Sequence, residues 1–504
     1  MTYRRNIIAS YVAQIYVVIL GIIILPQYLK YMGPDAYGLV GFFTMIQAWF
    51  NLLDMGLTPT VSRETARFLG GVTSALNYRR LARALQIIFF TIALAGGGTL
   101  FFCSGIIAAG WLNSSTLSPE ELQIALKLIA VVVAMRWMSG LYRGFISGSE
   151  RLVWLSSFNA VIATLRFLGV LPLLIWIDHT PTIFFGYQML IATLELSILA
   201  MQVFNSLPAV RNDQQIGWSP HVLITPIRSV LKLSLSIAFT SSVWVLITQT
   251  DKLILSKLLP LVDYGYFTLA VLAASGVMII SGPISGALLP RMVRLQAEGN
   301  ESELVDLYRS ATQAIAVITV PTCLMLAFFA EEVLWAWTGN ADVSAQTAPV
   351  LRLYALGNGF LAMVGFSYYL QFAKGDLSLH LRGNAIFVIV FIPLLTWATW
   401  TNGALGAGYA WLGANALFFF AWVPLVHKRF IKGLHRKWLL HDLCPIIIPA
   451  LMASSFLYAV SPRQSEKLQL ILLLIIYAGI TFVASSIGVR QIRSRFLVKS
   501  PPLD

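Results

Sequence analysis

Residues 7–29 read IIASYVAQIYVVILGIIILPQYL, an apolar stretch long enough to cross a bilayer as one helix, for which roughly 20 residues suffice. Further runs of similar character follow near 36–57, 84–111, 122–142, 152–177, 183–204, 229–252, 263–289, 311–337, 348–373, 383–400, 404–426, 443–461 and 468–488. With the first they make about fourteen. Of the 504 residues 58% are hydrophobic and 11% charged, a composition suited to lipid rather than water. Long unbroken runs exclude closed barrels, which use short alternating strands. The fold class is therefore all-α: a polytopic membrane protein of about 14 transmembrane helices.

The formal net charge of +13 does not point to nucleic acid. Sorted by the gaps between runs, most Lys and Arg fall at the N-terminus, in the even-numbered gaps and in the tail. Arg63, Arg67, Arg79, Arg80 and Arg83 follow the second run; Lys428, Arg429, Lys432, Arg436 and Lys437 follow the twelfth. The gaps after runs 3, 5, 9 and 11 hold none. The positive-inside rule then places both termini in the cytoplasm. Trp111, Trp176, Trp335, Trp337, Trp397 and Trp400 fall near the outer ends of runs 3, 5, 9 and 11, where an aromatic belt is expected. Arg4 and Arg5 precede a full-length span without a small-residue cleavage site, so no removable signal peptide is expected.

Several chemistries are set aside. Cys103, Cys323 and Cys444 are odd in number and lie in apolar runs, against a disulfide framework or metal cluster. No nucleotide-binding G-x-x-x-x-G-K-[ST] loop and no H-E-x-x-H pair is present. His427, His435 and His441 share a basic gap and read as surface residues. The outer gaps leave little room for an active site, so neither an enzyme nor a resident cofactor is expected.

The first half is echoed in the second. Tyr37-Gly38 and Tyr78-Arg79 recur as Tyr264-Gly265 and Tyr308-Arg309. Phe145-Ile146-Ser147-Gly148-Ser149-Glu150 has a counterpart in Phe372-Ala373-Lys374-Gly375-Asp376. Each is followed by an Asn (Asn159, Asn384) and a Pro-Leu-Leu beginning at Pro172 or Pro393. A membrane chain of two matching halves is usually a carrier, with a site between halves that rock.

Candidate site residues are the polar groups inside the runs. A charge at a helix centre costs about 2.5–3.5 kcal/mol on insertion scales, and so needs a reason. Arg166 and Glu195 flank a hairpin turning near residue 180; at 1.5 Å per residue both lie about 20 Å from the outer interface and should be neighbours. They are either a neutralising staple or an anion contact with a proton-sensitive partner. Arg136 either snorkels to the inner interface or faces a cavity. Asn6, Ser10 and Gln14 share one helix face. The seventh run carries Ser241, Gln249, Asp251 and Lys252 among many hydroxyls; interhelical packing competes there with a lined cavity. Gly282-Pro283 and Pro290 suggest a kinked or broken eighth run. Thr58 and Pro59 suggest an N-cap and first turn for a short helix from Thr60 to about Leu69. Asp54 is expected to pair with Arg63 or Arg67, or to gate.

Leu29-Lys30-Tyr31-Met32-Gly33-Pro34-Asp35-Ala36-Tyr37-Gly38, with Leu53-Asp54-Met55-Gly56-Leu57 and Arg63, resembles the opening of Wzx-type polysaccharide flippases. These belong to the multidrug/oligosaccharidyl-lipid/polysaccharide (MOP) exporter superfamily. Tyr142-Arg143-Gly144-Phe145-Ile146-Ser147-Gly148 resembles the family's loop after span 4, and Thr250-Asp251-Lys252-Leu253-Ile254-Leu255 the end of span 7. The resemblance covers about residues 1–430. It implies two pseudo-symmetric six-helix lobes, 1–210 and 211–430, with spans 13 and 14 and a basic tail over 431–504.

It further implies movement of undecaprenyl-pyrophosphate-linked oligosaccharide across the bacterial inner membrane, for surface polysaccharide such as O-antigen. Arg166, Arg136, Gln14, Ser10, Asn6, Gln249 and Ser241 would then face substrate, while Glu195, Asp54, Arg63, Asp251 and Lys252 would couple or gate. A proton or sodium gradient is one source of drive. Membrane lipids, a polysaccharide polymerase and a chain-length regulator are the implied partners. A drug or cation antiporter is one alternative, for which Asp54, Glu195 and Asp251 would supply acids. A lipid II flippase is another, although the arginine-rich span 1 of that group is not evident here.

Overall fold

The computed structural model describes residues 2–54, 56–209, 242–279, 282–462 and 466–489. The chain divides into two compact units, Met1–Gly265 and Tyr266–Asp504. All regular elements of the described residues are helical, and eleven helical segments are long and apolar enough to cross a membrane. Two of them, Ser10–Asp54 and Ser378–Phe430, each carry two of the runs read from the sequence. The run 229–252 lies largely outside the described residues.

In the first unit, α1 (Thr2–Phe50) bends at Gly33, whose φ of 80° and ψ of 168° leave the helical region. Gly adopts that conformation without the Cβ clash other residues meet, and Pro34 then restarts the helix. α2 (Leu57–Leu69) begins after Gly56, which has φ 68°. α3 (Ala75–Phe102) is capped by Ser74, whose hydroxyl accepts from Asn77 N–H. α4 (Pro119–Gly148) is capped in the same way by Ser118, with Pro119 at its first position. α5 (Leu152–Leu168) and α6 (Pro181–Ser206) complete the bundle.

α4 is the hub of this unit: α2, α3 and α6 pack against it, while α5 packs on α1. Its buried face is a stripe of Leu122, Leu126, Ile129, Val133 and Leu141. A helix over 242–258, here α7, and the first residues of α8 (Leu261–Ile279) also lie in this unit.

The Tyr-Gly echo has a structural reason. A Cβ added to Gly38 would meet the backbone oxygen of Leu261, and one added to Gly265 would lie 2.9 Å from the backbone oxygen of Pro34. Pro34 precedes Gly38 as Leu261 precedes Gly265, so the contact is reciprocal. Only glycine at both positions lets the two backbones approach this closely.

In the second unit, α9 (Glu301–Phe328) is the hub, against which α10 (Ala341–Ala373) packs. α11 (Ser378–Leu417) bends at Gly403, φ 54° and ψ −133°. After α12 (Val423–Phe430), α13 (Cys444–Val460) and α14 (Lys467–Ile487) both pack on α9. The Ser485 hydroxyl donates to the Val317 carbonyl at 3.0 Å, and Trp438 Nε1 to Thr312 Oγ1 at 3.0 Å. Spans 13 and 14 thus share the core of this unit.

His427 corrects the surface reading: it is fully buried, with Nε2 2.8 Å from Tyr308 Oη and Nδ1 3.2 Å from His435 Nδ1. His435 is half-buried and His441 exposed. Trp176, Trp397 and Trp400 project from the protein as belt residues would, whereas Trp111 is half-buried and donates to Ser256.

Candidate functional site: an arginine ladder in the first unit

α4 and α6 run parallel, and equivalent side chains on them meet in two rungs. In the lower rung Arg143 Nη2 lies 2.6 Å from Glu195 Oε1. In the upper rung, seven residues earlier on each helix, Arg136 Nη2 donates to Gln188 Oε1 at 2.6 Å. Seven residues are two helical turns, so Arg136 and Arg143 project from one face of α4, as Gln188 and Glu195 do from α6. At 1.5 Å per residue the upper rung lies about 18 Å from the C-terminal end of α4.

α5 closes the third side. Arg166 Nη2 reaches the second carboxylate oxygen of Glu195 at 3.0 Å, and Asn159 accepts from Arg143. Gln188 Nε2 donates to the Arg166 carbonyl at 3.2 Å, tying the upper rung to α5. A guanidinium only donates, so the amide must turn its oxygen to Arg136 and its nitrogen to the carbonyl. The Arg136 guanidinium also stands 4.9 Å from the Phe43 ring centroid, a cation–π contact. Glu195 is 2% exposed and shared by two arginines; among the described residues Arg136 has no acid partner. Three arginines and one glutamate leave a surplus of two positive charges inside a predominantly apolar bundle. Arg136 Nε and Arg166 Nε are buried and have no hydrogen-bond partner among the described residues.

The expected Arg166–Glu195 proximity is present, and Arg136 joins the same cluster. Snorkelling does not describe Arg136, whose head is held by Gln188 and Phe43. Arg143 and Gln188 escaped the sequence reading, although the seven-residue spacing of Arg136 and Arg143 already placed them on one face.

The other candidates are elsewhere. Ser10 Oγ lies 3.2 Å from Ser156 Oγ, one of several polar contacts between α1 and α5 that include Tyr16–Thr164 and Tyr28 with the Phe167 carbonyl. Gln14 is exposed. The side chain of Asn6, and Ser241 altogether, lie outside the described residues. Gln249 is half-buried and donates to Thr248 Oγ1 at 3.3 Å. Asp251 is buried, 3.9 Å from Lys252 Nζ, which donates to the Thr248 carbonyl at 2.7 Å.

Asp54 does not pair with Arg63 or Arg67. Its Oδ1 accepts from Thr58 Oγ1 at 2.5 Å and Thr58 N–H at 3.2 Å, so it serves the free donors of the first turn of α2. Both arginines turn to Glu64, Arg67 at 3.1 Å and Arg63 at 3.4 Å. Gly56, rather than Thr58, holds the N-cap position.

The sequence profile of a family described as "Polysaccharide biosynthesis protein" matches residues 3–296, more than half of the chain. The "Putative O-antigen transporter" of Shigella flexneri is 19% identical over 391 residues, covering 75% of this chain and 87% of that protein. Among solved structures, the lipid II flippase MurJ in an inward closed conformation aligns with a TM-score of 0.72 and 15% identity, covering 98% of this chain and 100% of its own. An inward-facing multidrug resistance MATE transporter of the MOP superfamily aligns with a TM-score of 0.64 and 14% identity, over 84% and 96%. At these identities the likeness speaks for the fold. The chain belongs to the polysaccharide biosynthesis protein family, as a multi-pass membrane protein with the fold shared by MurJ and the MATE transporter.

Proposed function

We propose that this transporter moves undecaprenyl-pyrophosphate-linked oligosaccharide repeat units from the cytoplasmic to the outer leaflet of the bacterial inner membrane, by alternating access, for surface polysaccharide synthesis. The observation that carries this reading is the surplus of positive charge on spans 4–6. An arginine-rich, partly desolvated cluster suits a pyrophosphate, whose oxygens accept charge-assisted hydrogen bonds. The name of the Shigella flexneri relative, an O-antigen transporter, supports the same class of cargo.

In this reading the lobes are 1–210 and 211–430, with 431–504 appended, and both termini are cytoplasmic. Polar residues of spans 1 and 7, including Asn6, Ser10, Gln14, Ser241 and Gln249, solvate sugars. Asp54, Arg63, Asp251 and Lys252 gate or couple, and a proton or sodium gradient or downstream polymerisation supplies the drive. A polymerase and a chain-length regulator receive the cargo. A drug or cation antiporter would need a surplus of acid where this bundle has a surplus of arginine.

The test is a lipid extraction from a host lacking the gene, analysed by mass spectrometry beside staining of surface polysaccharide. Accumulation of an undecaprenyl-pyrophosphate repeat unit with loss of surface polymer is the expected result. Normal intermediates with normal polymer would overturn the proposal and direct attention to drug efflux.

A further inference from the structure

The two rungs between α4 and α6 share one geometry and differ in one atom type. Below, Arg143 meets a carboxylate; above, Arg136 meets the isosteric amide of Gln188. The lower rung is electrically closed, because both oxygens of Glu195 are taken by Arg143 and Arg166. The upper rung is open. Among the described residues Arg136 meets no acid, Gln188 turns both ends of its amide to protein partners, and the Nε–H groups of Arg136 and Arg166 are buried without acceptors. Buried donors are nearly always satisfied, and two orphans on a pair of guanidiniums are a standing demand for acceptor oxygen.

We infer that the upper rung is an oxyanion subsite: Arg136 and the Nε–H of Arg166 take a phosphate-class anion, and Gln188 is the residue that keeps this rung open. A carboxylate at position 188 would occupy Arg136 internally, as Glu195 occupies Arg143. Glu195 has the opposite role. It holds the lower two arginines closed, which limits how tightly the anion is gripped and so permits release. Arg136 meets the anion, whereas Gln188 and Glu195 act through the arginines and are positioning residues. This deepens the reading of the chain as a carrier of a phosphate-linked cargo, but its test does not depend on transport.

The full chain in phosphatidylcholine nanodiscs is titrated calorimetrically with inorganic pyrophosphate, beside thermal unfolding. Gln188→Glu changes almost no volume; it gains an ion pair with Arg136 and loses the hydrogen bond to the Arg166 carbonyl, so it should fold with a Tm close to the parent's. It should lose pyrophosphate binding at least about tenfold, a loss of the size expected when an internal charge replaces the ligand. Arg136→Gln should lose binding with the Glu195 triad left in place. Glu195→Gln should bind about tenfold more tightly, with pyrophosphate raising its Tm more than that of the parent.

Repeating the titration in phosphatidylglycerol nanodiscs separates the sources of phosphate. Unchanged affinity assigns the subsite to a pyrophosphate ligand; competition supports phosphate recognition and assigns it to lipid headgroups. Parental affinity in folded Gln188→Glu or folded Arg136→Gln overturns the inference, as does absence of binding to the parent. If pyrophosphate binds as expected while the deletion host shows no lipid intermediate, the subsite stands and the cargo assignment falls.

Discussion

Glu195 in the first unit and Asp442 in the second are both buried carboxylates held by arginine, and the two are balanced differently. In the second unit Arg309 meets Asp442 with two nitrogens, at 2.6 and 3.0 Å, and Gln313 donates to the same carboxylate at 2.6 Å. One cation faces one anion, and Asp442 is fully buried. In the first unit Glu195 is shared by Arg143 and Arg166, and Arg136 is left to an amide. The glutamines mark the contrast: Gln313 turns its nitrogen to an acid, Gln188 turns its oxygen to a cation. The balanced cluster links α9 to the segment leading into α13 and asks for no further partner. The unbalanced one holds charge in reserve, which is costly within an apolar bundle unless it is used.

The sharpest way to break the contrast is to remove each carboxylate. Glu195→Gln leaves three guanidiniums with no counter-charge and should destabilise the chain by about 3–5 kcal/mol, the range for breaking a buried pair. Thermal unfolding in detergent reads this, and added pyrophosphate should recover much of the loss. Asp442→Asn leaves one cation, whose side chain is 15% exposed, and should cost about 3 kcal/mol. Pyrophosphate should recover none of it; equal recovery in both variants would erase the distinction between the units.

Smaller changes sharpen it. Gln313→Leu removes one donor from a carboxylate that keeps its arginine, at a cost of about 1–3 kcal/mol. Arg143→Gln removes one of three cations while Arg166 continues to neutralise Glu195. Its cost should be the smallest, about 1 kcal/mol, because Glu195 keeps one counter-charge and the cluster loses one of its surplus cations. A Tm loss in Arg143→Gln as large as that in Glu195→Gln would show that the cluster is a staple without surplus.

The apolar runs gave the helices because length and hydropathy decide spanning locally. Depth arithmetic paired Arg166 with Glu195 because a short hairpin fixes the register of two neighbouring helices. Arg143 stands one residue past its run, where the apolar pattern that defines depth has already ended. Opposite charges nearby suggest an ion pair for Asp54, but the start of α2 offers unpaired N–H groups closer along the chain, and Asp54 takes those. His427 lies in a basic stretch that looks solvated. Its pocket is built largely by Tyr308 and Trp438, whose approach is a tertiary event that no local pattern reveals.

The contact in which Gly38 faces Leu261 and Gly265 faces Pro34 is self-complementary, the arrangement found where two copies of one subunit meet across a dyad. Here both partners are covalently part of one chain, so their stoichiometry is fixed and their local concentration never falls. Mutational bookkeeping changes accordingly: a methyl group introduced at either position wedges the same seam, and adding the second finds it already parted. The double variant should therefore cost less than its two singles combined.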